Sequence, residues 1–134
     1  SHLCSAISSE ILGQCGFDWM VLDMEHSPNE LTHILAQLQA LKDSPTMPVV
    51  RPPWNDMVTF KRLLDVGAQS LIVPYIQNAE EARLAVSYTR YPPLGVRGYA
   101  GAPRASVSAS AVPLLSWCAS SCRATDSLSR TVPD

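Results

Sequence analysis

The chain repeats one unit three times: a short apolar segment followed by an amphipathic helix. The apolar segments are residues 18–23, 47–52 and 70–76, with the sequences DWMVLD, MPVVRP and SLIVPYI. Each has the length of a strand, and its apolar residues are continuous instead of alternating with polar ones. Such strands are buried on both faces, as in a parallel sheet that helices cover. The repeat therefore predicts an α/β fold built from successive strand–helix units.

The helices between these segments carry recognisable start signals. The clearest helix is predicted for residues 27–41, where Ser27 can cap, Pro28 takes the first helical position and Glu30 completes a capping box. Leucine and isoleucine then recur at helical spacing. Three further helices are predicted over residues 3–15, 57–66 and 79–90.

The later helices also have predicted boundaries. Asn55 or Asp56 is expected to open the third helix, and Gly67 to close it. Asn78 and Glu81 form a capping pair before the fourth helix. Start and stop signals thus agree with the hydrophobic pattern along most of the chain.

Two parallel architectures fit this order, a doubly wound sheet and part of a (β/α) barrel. The barrel is favoured by polar groups that follow each strand: Asp23, Glu25 and His26 after the first, Arg51 after the second, Tyr75 and Gln77 after the third. Catalytic groups in barrels gather at the carboxyl ends of several strands. No G-x-G-x-x-G or Walker sequence follows any strand, which argues against a dinucleotide or P-loop site. We expect a partial (β/α)8 TIM barrel, roughly its first half, with about three strands, four helices and an irregular C-terminal tail.

The sequence changes character near residue 105. Residues 105–134 are rich in serine and contain no Gly, Lys or Glu, and they show no capped helix and no strand followed by a turn. We expect residues 1–104 to form the partial barrel, and residues 105–134 to be a divergent tail that is disordered or read out of frame. A complete barrel needs about 250 residues, so its later strands and helices are missing from this chain.

Composition narrows the classes of partner. The net charge is -2 and no basic stripe occurs, which argues against nucleic acid as a partner. The apolar runs are shorter than a membrane helix requires, so no membrane partner is expected. The first residues lack the order of a signal peptide, and a cytoplasmic location is therefore expected.

The residues after the strands suggest proton chemistry on an anion. His26 is a natural general base because imidazole titrates near neutrality. Arg51 can clamp a carboxylate with its planar fork. Simpler structural roles stay open for these residues. His26 could bond to the backbone where the helix begins, and Arg51 could form a salt bridge at the rim of the barrel. Asp23 and Glu25 could cap the helix that follows. His33 is expected to be solvated on its helix.

Four segments in this order and spacing closely resemble the HpcH/HpaI aldolase family: GFDWMVLDMEHSPNE, VVRPPWND, KRLLDVGAQSLIVPYIQNAEEA and RYPPLGVRG. The resemblance covers about residues 5–106. It implies a (β/α) barrel of the class II, metal-dependent 2-oxo-acid aldolases. Such enzymes use Mg²⁺ or Mn²⁺ to bind pyruvate, and they form or cleave a carbon–carbon bond through its enolate.

The resemblance also implies roles for individual residues. The catalytic base falls on His26, the arginine that steadies the enolate on Arg51, and the aspartate that makes the histidine more basic on Asp65. Asp23 matches a further acid that lines the site. The family's metal ligands are a Glu and an Asp on later strands, and no carboxylate in residues 105–134 matches them. No metal ligand is therefore identified in this chain.

The function implied is a lyase that reversibly cleaves a 4-hydroxy-2-oxo acid to pyruvate and an aldehyde. A homo-oligomer is expected if the barrel is complete. The alternative is a non-catalytic remnant of such an aldolase, which lacks the metal ligands. A doubly wound binding module of unrelated function is a third hypothesis, and it requires that the resemblance is due to chance.

Overall fold

A computed structural model describes residues 1–100 in full and the backbone of residues 114–116. Its helices are α1 (Ala6–Gly13), α2 (Leu31–Ala40), α3 (Met57–Asp65) and α4 (Ala79–Thr89), and its strands are β1 (Trp19–Asp23), β2 (Met47–Arg51), β3 (Leu71–Val73) and β4 (Leu114–Ser116). The predicted α/β class, the four helices and the first three strands are confirmed. Among the described residues, no helix is long and apolar enough to cross a bilayer.

The order of the strands decides between the two parallel architectures. The sheet has the order β1-β2-β3-β4, and every neighbouring pair is parallel. A doubly wound sheet reverses its order at a switch point. A barrel wall instead adds each new strand beside the previous one. The described strands follow the barrel pattern, and the prediction of a partial barrel is confirmed.

Strand β4 was not predicted, because a three-residue apolar segment carries too little periodicity to be recognised. Its backbone pairs in parallel with β3, with Leu114 opposite Leu71. It falls inside the region predicted to be a divergent tail. The other residues of that region lie outside the described part of the chain, so the predicted disorder or frame change stays a prediction.

Alternation along the strands divides the sheet into two faces. One face packs against the helices and forms a core with members from every element between β1 and α4: Met20, Leu22, Ile34, Leu38, Val50, Phe60, Leu63, Leu64, Leu71, Val73 and Ala85. The opposite face carries the alternate residues of the paired strands, with Trp19 opposite Met47, Val21 opposite Val49, and Asp23 opposite Arg51. On this second face, the side chains are therefore apolar at the amino ends of β1 and β2 and charged at their carboxyl ends.

The predicted boundaries of α3 and α4 are confirmed. Asp56, not Asn55, caps α3, because its Oδ2 accepts a 2.7 Å hydrogen bond from the N–H of Thr59. Gly67 follows α3 with φ of 102°, a left-handed conformation that favours glycine. At α4, Asn78 Oδ1 accepts a 2.9 Å bond from the N–H of Glu81. These short-range signals position the helices as predicted.

The predicted start of α2 is wrong by several residues. The helix begins at Leu31 with Glu30 as N-cap, and His33 Nδ1 accepts a 3.0 Å hydrogen bond from the Glu30 N–H. His33 is thus a capping residue and not merely solvated. Ser27 does not cap the helix; its hydroxyl donates to the carbonyl of Asp23. Local capping rules assign the Ser27 hydroxyl to the start of the helix, but the carbonyl at the end of β1 accepts its hydrogen bond instead.

The segment after α4 folds back tightly onto the end of that helix. The N–H of Val96 donates to the carbonyl of Ser87, and the N–H of Arg97 to the carbonyl of Arg90, both at 2.9 Å. A Cβ atom at Gly95 would lie 2.3 Å from the Ser87 oxygen and 2.4 Å from the Arg90 oxygen. Both are backbone atoms, so only glycine fits this close approach.

We expect Gly95→Ala to lower the free energy of unfolding by about 2 kcal/mol or more, because the backbone must move to relieve the clash. Gly98→Ala is the matched control, since its Cβ would meet only the flexible side chain of Lys61 at 3.4 Å. Chemical denaturation of both variants checks this. A Gly95→Ala variant as stable as Gly98→Ala would contradict the packing described for this turn.

Candidate active site at the carboxyl edge of the sheet

Asp23 is the centre of the charged cluster. It is the last residue of β1, and it is 1% exposed. Arg51, its register partner at the end of β2, donates from Nε to Oδ1 at 2.8 Å and from Nη2 to Oδ2 at 2.7 Å. The N–H groups of Glu25 and His26 also donate to Oδ1, at 2.9 and 3.4 Å. One carboxylate therefore joins two strands and organises the turn between β1 and α2.

These contacts fix the charge states of the pair. Burial alone would raise the pKa of Asp23, but the hydrogen bonds from Arg51 and from the N–H groups of Glu25 and His26 outweigh burial and hold this pKa well below its usual range. The hydrogen bond to Asp23 raises the pKa of Arg51. Asp23 is thus a permanent anion near neutral pH. It positions the guanidinium and does not accept a proton.

Glu25 connects the arginine to the histidine. Its Oε2 lies 3.2 Å from Arg51 Nη1, and its Oε1 lies 3.6 Å from His26 Nε2. The His26 side chain is 68% exposed. The sequence placed Glu25 among the polar groups that follow β1, with a helix cap as its simpler role. In the structure the Glu25 carboxylate lies beside the His26 imidazole, a contact that depends on how the turn closes.

His2 was not predicted as a site residue, but it also contacts the cluster. Its Nε2 lies 3.0 Å from Asp23 Oδ2. The preceding residue holds it there: the Ser1 nitrogen donates to the Val21 carbonyl, and the Ser1 carbonyl accepts from the Asp23 N–H. These two backbone hydrogen bonds attach Ser1 to β1 and place His2 beside Asp23. No sequence signal identifies His2, because its partner is twenty-one positions away.

A cavity of about 410 Å³ lies beside the cluster, a volume suited to a small molecule. Its lining combines charged and apolar side chains: Ser1, His2, Trp19, Val21, Asp23, Arg51 and Ile72. Asp23 and Arg51 lie at the carboxyl ends of β1 and β2, and the apolar residues come from the second face of the sheet. The cavity therefore brings Asp23 and Arg51 together with apolar side chains of the sheet.

The structure does not bring Asp65 to this edge. Asp65 ends α3, which runs back from the carboxyl edge of β2 toward the start of β3, so it lies at the opposite edge of the sheet. Its carboxylate accepts a 2.8 Å hydrogen bond from Arg97 Nη2. The other three predicted residues, Asp23, Arg51 and His26, lie together. The role that the resemblance gives Asp65 toward His26 stays a prediction.

The described residues do not fit a divalent metal ion. Within residues 1–100 and 114–116, no three His, Cys, Asp or Glu side chains are grouped closely enough to hold one. Asp23 and Glu25, the oxygen ligands nearest the cavity, are both engaged by Arg51. The Mg²⁺ or Mn²⁺ expected from the resemblance therefore has no ligand set in this part of the chain.

The strands form a parallel sheet in barrel order, and an arginine, carboxylates and histidines lie at its carboxyl edge. These features define an α/β-barrel protein with a candidate active site. The sequence profile of the HpcH/HpaI aldolase/citrate lyase family matches residues 2–122. The chain belongs to this family.

Individual relatives agree with this assignment. The chain is 60% identical over 100 residues to a 4-hydroxy-2-oxo-heptane-1,7-dioate aldolase of Klebsiella pneumoniae, and 55% identical to one of Salmonella dublin; each match covers 75% of this chain and 38% of the relative. The fold resembles a crystal structure of a family member from Burkholderia cenocepacia J2315, with 40% identity and a TM-score of 0.76, covering 79% of this chain and 44% of that one. The chain thus spans less than half the length of these relatives.

The buried ion pair predicts how stability depends on pH. The pKa of Asp23 is lower in the folded chain than its ordinary value of 3.8. Its stabilising effect is therefore complete above that value and is lost as the pH falls below it. We expect Asp23→Asn to cost on the order of 3 kcal/mol at neutral pH, because Arg51 loses its main partner. The fall in unfolding free energy between about pH 4 and about pH 2 should also be smaller in the variant.

Denaturation curves at several pH values measure both effects. Asp43→Asn is the control, since Asp43 is an exposed carboxylate in the turn after α2. If Asp23→Asn and Asp43→Asn change stability equally at every pH, the Asp23–Arg51 pair does not have the strength inferred here.

Proposed function

We propose that this chain carries the enolate-forming part of a carbon–carbon lyase, which reversibly cleaves a 4-hydroxy-2-oxo acid to pyruvate and an aldehyde. The observation that carries the proposal is the guanidinium of Arg51, fixed by Asp23 and linked through Glu25 to His26. The family assignment and the names of the relatives support the same class of reaction.

Arg51 is suited to bind the oxygens of a 2-oxo acid. Its Nε and Nη2 point to Asp23 and its Nη1 approaches Glu25, yet these contacts leave other N–H groups on its two terminal nitrogens. A positive charge that the protein already holds in place stabilises negative charge as it develops on an enolate oxygen. Arg51 is therefore the electrostatic part of the proposed site.

His26 is suited to move the proton. In the direction of enolate formation, its neutral imidazole accepts a proton from the methyl carbon of pyruvate, and nearby Glu25 stabilises the resulting imidazolium. In cleavage, a base takes the proton of the C4 hydroxyl and the C3–C4 bond breaks. The aldehyde leaves, and the enolate takes up a proton at C3. His26, with a side chain 68% exposed, is the group that we assign to the carbon end.

The charge of the cluster limits how an anion binds. Two carboxylates, Asp23 and Glu25, and one guanidinium, Arg51, leave one net negative charge. An anionic 2-oxo acid is held well only if further positive charge joins them. The test below is therefore run both without and with Mn²⁺.

We expect the chain to catalyse exchange of the methyl protons of pyruvate in deuterated water, followed by NMR. This exchange requires the base and the arginine but no aldehyde. His26→Ala and Arg51→Ala should each slow it by about 100-fold or more, because one removes the base and the other the enolate's positive partner. His33→Gln is the matched control: His33 caps α2 and lies outside the cluster.

Each result is interpretable once circular dichroism shows that the variants are folded. Exchange that persists in His26→Ala would reject His26 as the base. A folded wild-type chain without exchange, with and without Mn²⁺, would reject catalysis by this chain and support the non-catalytic alternative.

We also propose, from the family resemblance, that Asp65 raises the basicity of His26. In the structure Asp65 pairs with Arg97, so Asp65→Asn and Arg97→Gln should each lower the free energy of unfolding, by about 1 to 2 kcal/mol. Only Asp65→Asn should also slow pyruvate exchange. If the two variants are equally stable and exchange equally fast, Asp65 acts only through its ion pair with Arg97.

A further inference from the structure

Two aromatic rings stack at the same edge of the sheet as the charged cluster. The centroids of Trp54 and Tyr75 are 5.2 Å apart, and their planes differ by 29°. Trp54 follows β2 and Tyr75 follows β3, so both lie where the polar residues of the site lie. Their side chains remain 55% and 56% exposed. Two half-exposed aromatic side chains therefore share the carboxyl edge of the sheet with the charged cluster.

The backbone at Tyr75 adopts a strained, left-handed conformation. Its φ is 59°, and it is the only non-glycine residue with positive φ among those described. A bulky side chain rarely adopts this conformation, and such strain gathers at functional sites. The next residue, Ile76, is buried in the core. The unusual turn thus lets the chain return to the core while Tyr75 stays outside against Trp54.

Trp54 follows Arg51 closely along the chain. Trp54 is three residues beyond Arg51, and so their Cα atoms are at most about 11 Å apart. A 4-hydroxy-2-oxo acid bound through its acid end to Arg51 directs C4 and its substituent away from the guanidinium. The chain neighbours of Trp54 and Tyr75, namely Pro53, Asn55, Pro74 and Ile76, carry no charge. The exposed parts of the two aromatic rings themselves suit a flat, neutral group.

We propose that Trp54 and Tyr75 form a platform for the aldehyde half of the substrate, and that they favour aldehydes bearing a flat apolar group, such as an aromatic ring, over short hydrophilic ones. This inference rests on the proposed function. Stacking on an aromatic face supplies the preference, and a hydrophilic aldehyde has no matching surface to stack on. Trp54 and Tyr75 select the aldehyde but do not take part in enolate formation.

Competition between two aldehydes tests the proposal. Pyruvate is supplied with equal amounts of benzaldehyde and glycolaldehyde, and the ratio of the two aldol products is measured. The wild-type chain should favour benzaldehyde, and Trp54→Ala or Tyr75→Ala should reduce that ratio about five-fold. Trp54→Phe and Tyr75→Phe should retain it. Phe17→Ala is the control, because Phe17 is an aromatic residue of similar exposure, 54%, that precedes β1 at the opposite edge.

Pyruvate exchange in the same variants separates this inference from the proposed function. The platform variants should exchange pyruvate protons at the wild-type rate. A second measurement needs no turnover: ligand-observed NMR of benzaldehyde should show binding that is lost in Trp54→Ala and kept in Phe17→Ala. That binding tests the platform even if the wild-type chain does not exchange pyruvate.

Two outcomes would overturn the platform. In the first, Trp54→Ala and Phe17→Ala bind benzaldehyde equally well and give the same ratio of the two aldol products. The other is a wild-type dimer, seen by sedimentation, that Trp54→Ala dissociates without affecting benzaldehyde binding. The rings would then belong to a contact between copies of this chain.

Discussion

The bidentate ion pair between Asp23 and Arg51 is the interaction on which the site depends. It forms because the two residues are register partners at the carboxyl ends of neighbouring parallel strands. A shift of either strand by one residue would turn its charged group toward the helices and the apolar core. The pairing that buries Leu22 and Val50 is thus the same pairing that brings an acid and an arginine together. Fold and site share one register.

The same aspartate explains where local sequence rules fail. Ser27 and Asn29 both use their side chains to hold the Asp23 carbonyl, and Asn29 Nδ2 does so at 2.8 Å. Neither is then available to cap α2, which starts later and is capped by Glu30 and His33. The start of this helix could not be predicted from the sequence, because a contact at the site outweighs the local preference. Where no such contact intervenes, as at Asp56 and Asn78, capping residues were predicted correctly.

Much of the site could be predicted because parallel topology gathers strand ends at one edge. Asp23, His26 and Arg51 follow from that rule and from their position after apolar segments. The contact of His2 with Asp23 and the link through Glu25 could not be predicted, since they depend on how the turn and the first residues close in three dimensions. The placement of Asp65 rested on resemblance alone. Its helix carries it to the far edge, where Arg97 holds it.

The edge of the sheet divides into a polar part and an aromatic part. In the polar part, two carboxylates share one arginine. The positive charge of that arginine therefore attracts a further anion, such as a bound acid, only weakly. The aromatic part has no charge of its own but presents two stacked faces, held outward by the backbone of Tyr75. The platform proposed above would add these two aromatic faces to the polar part of the site. The two parts meet at one edge because Arg51 ends β2, whereas Trp54 and Tyr75 lie in the segments that follow β2 and β3.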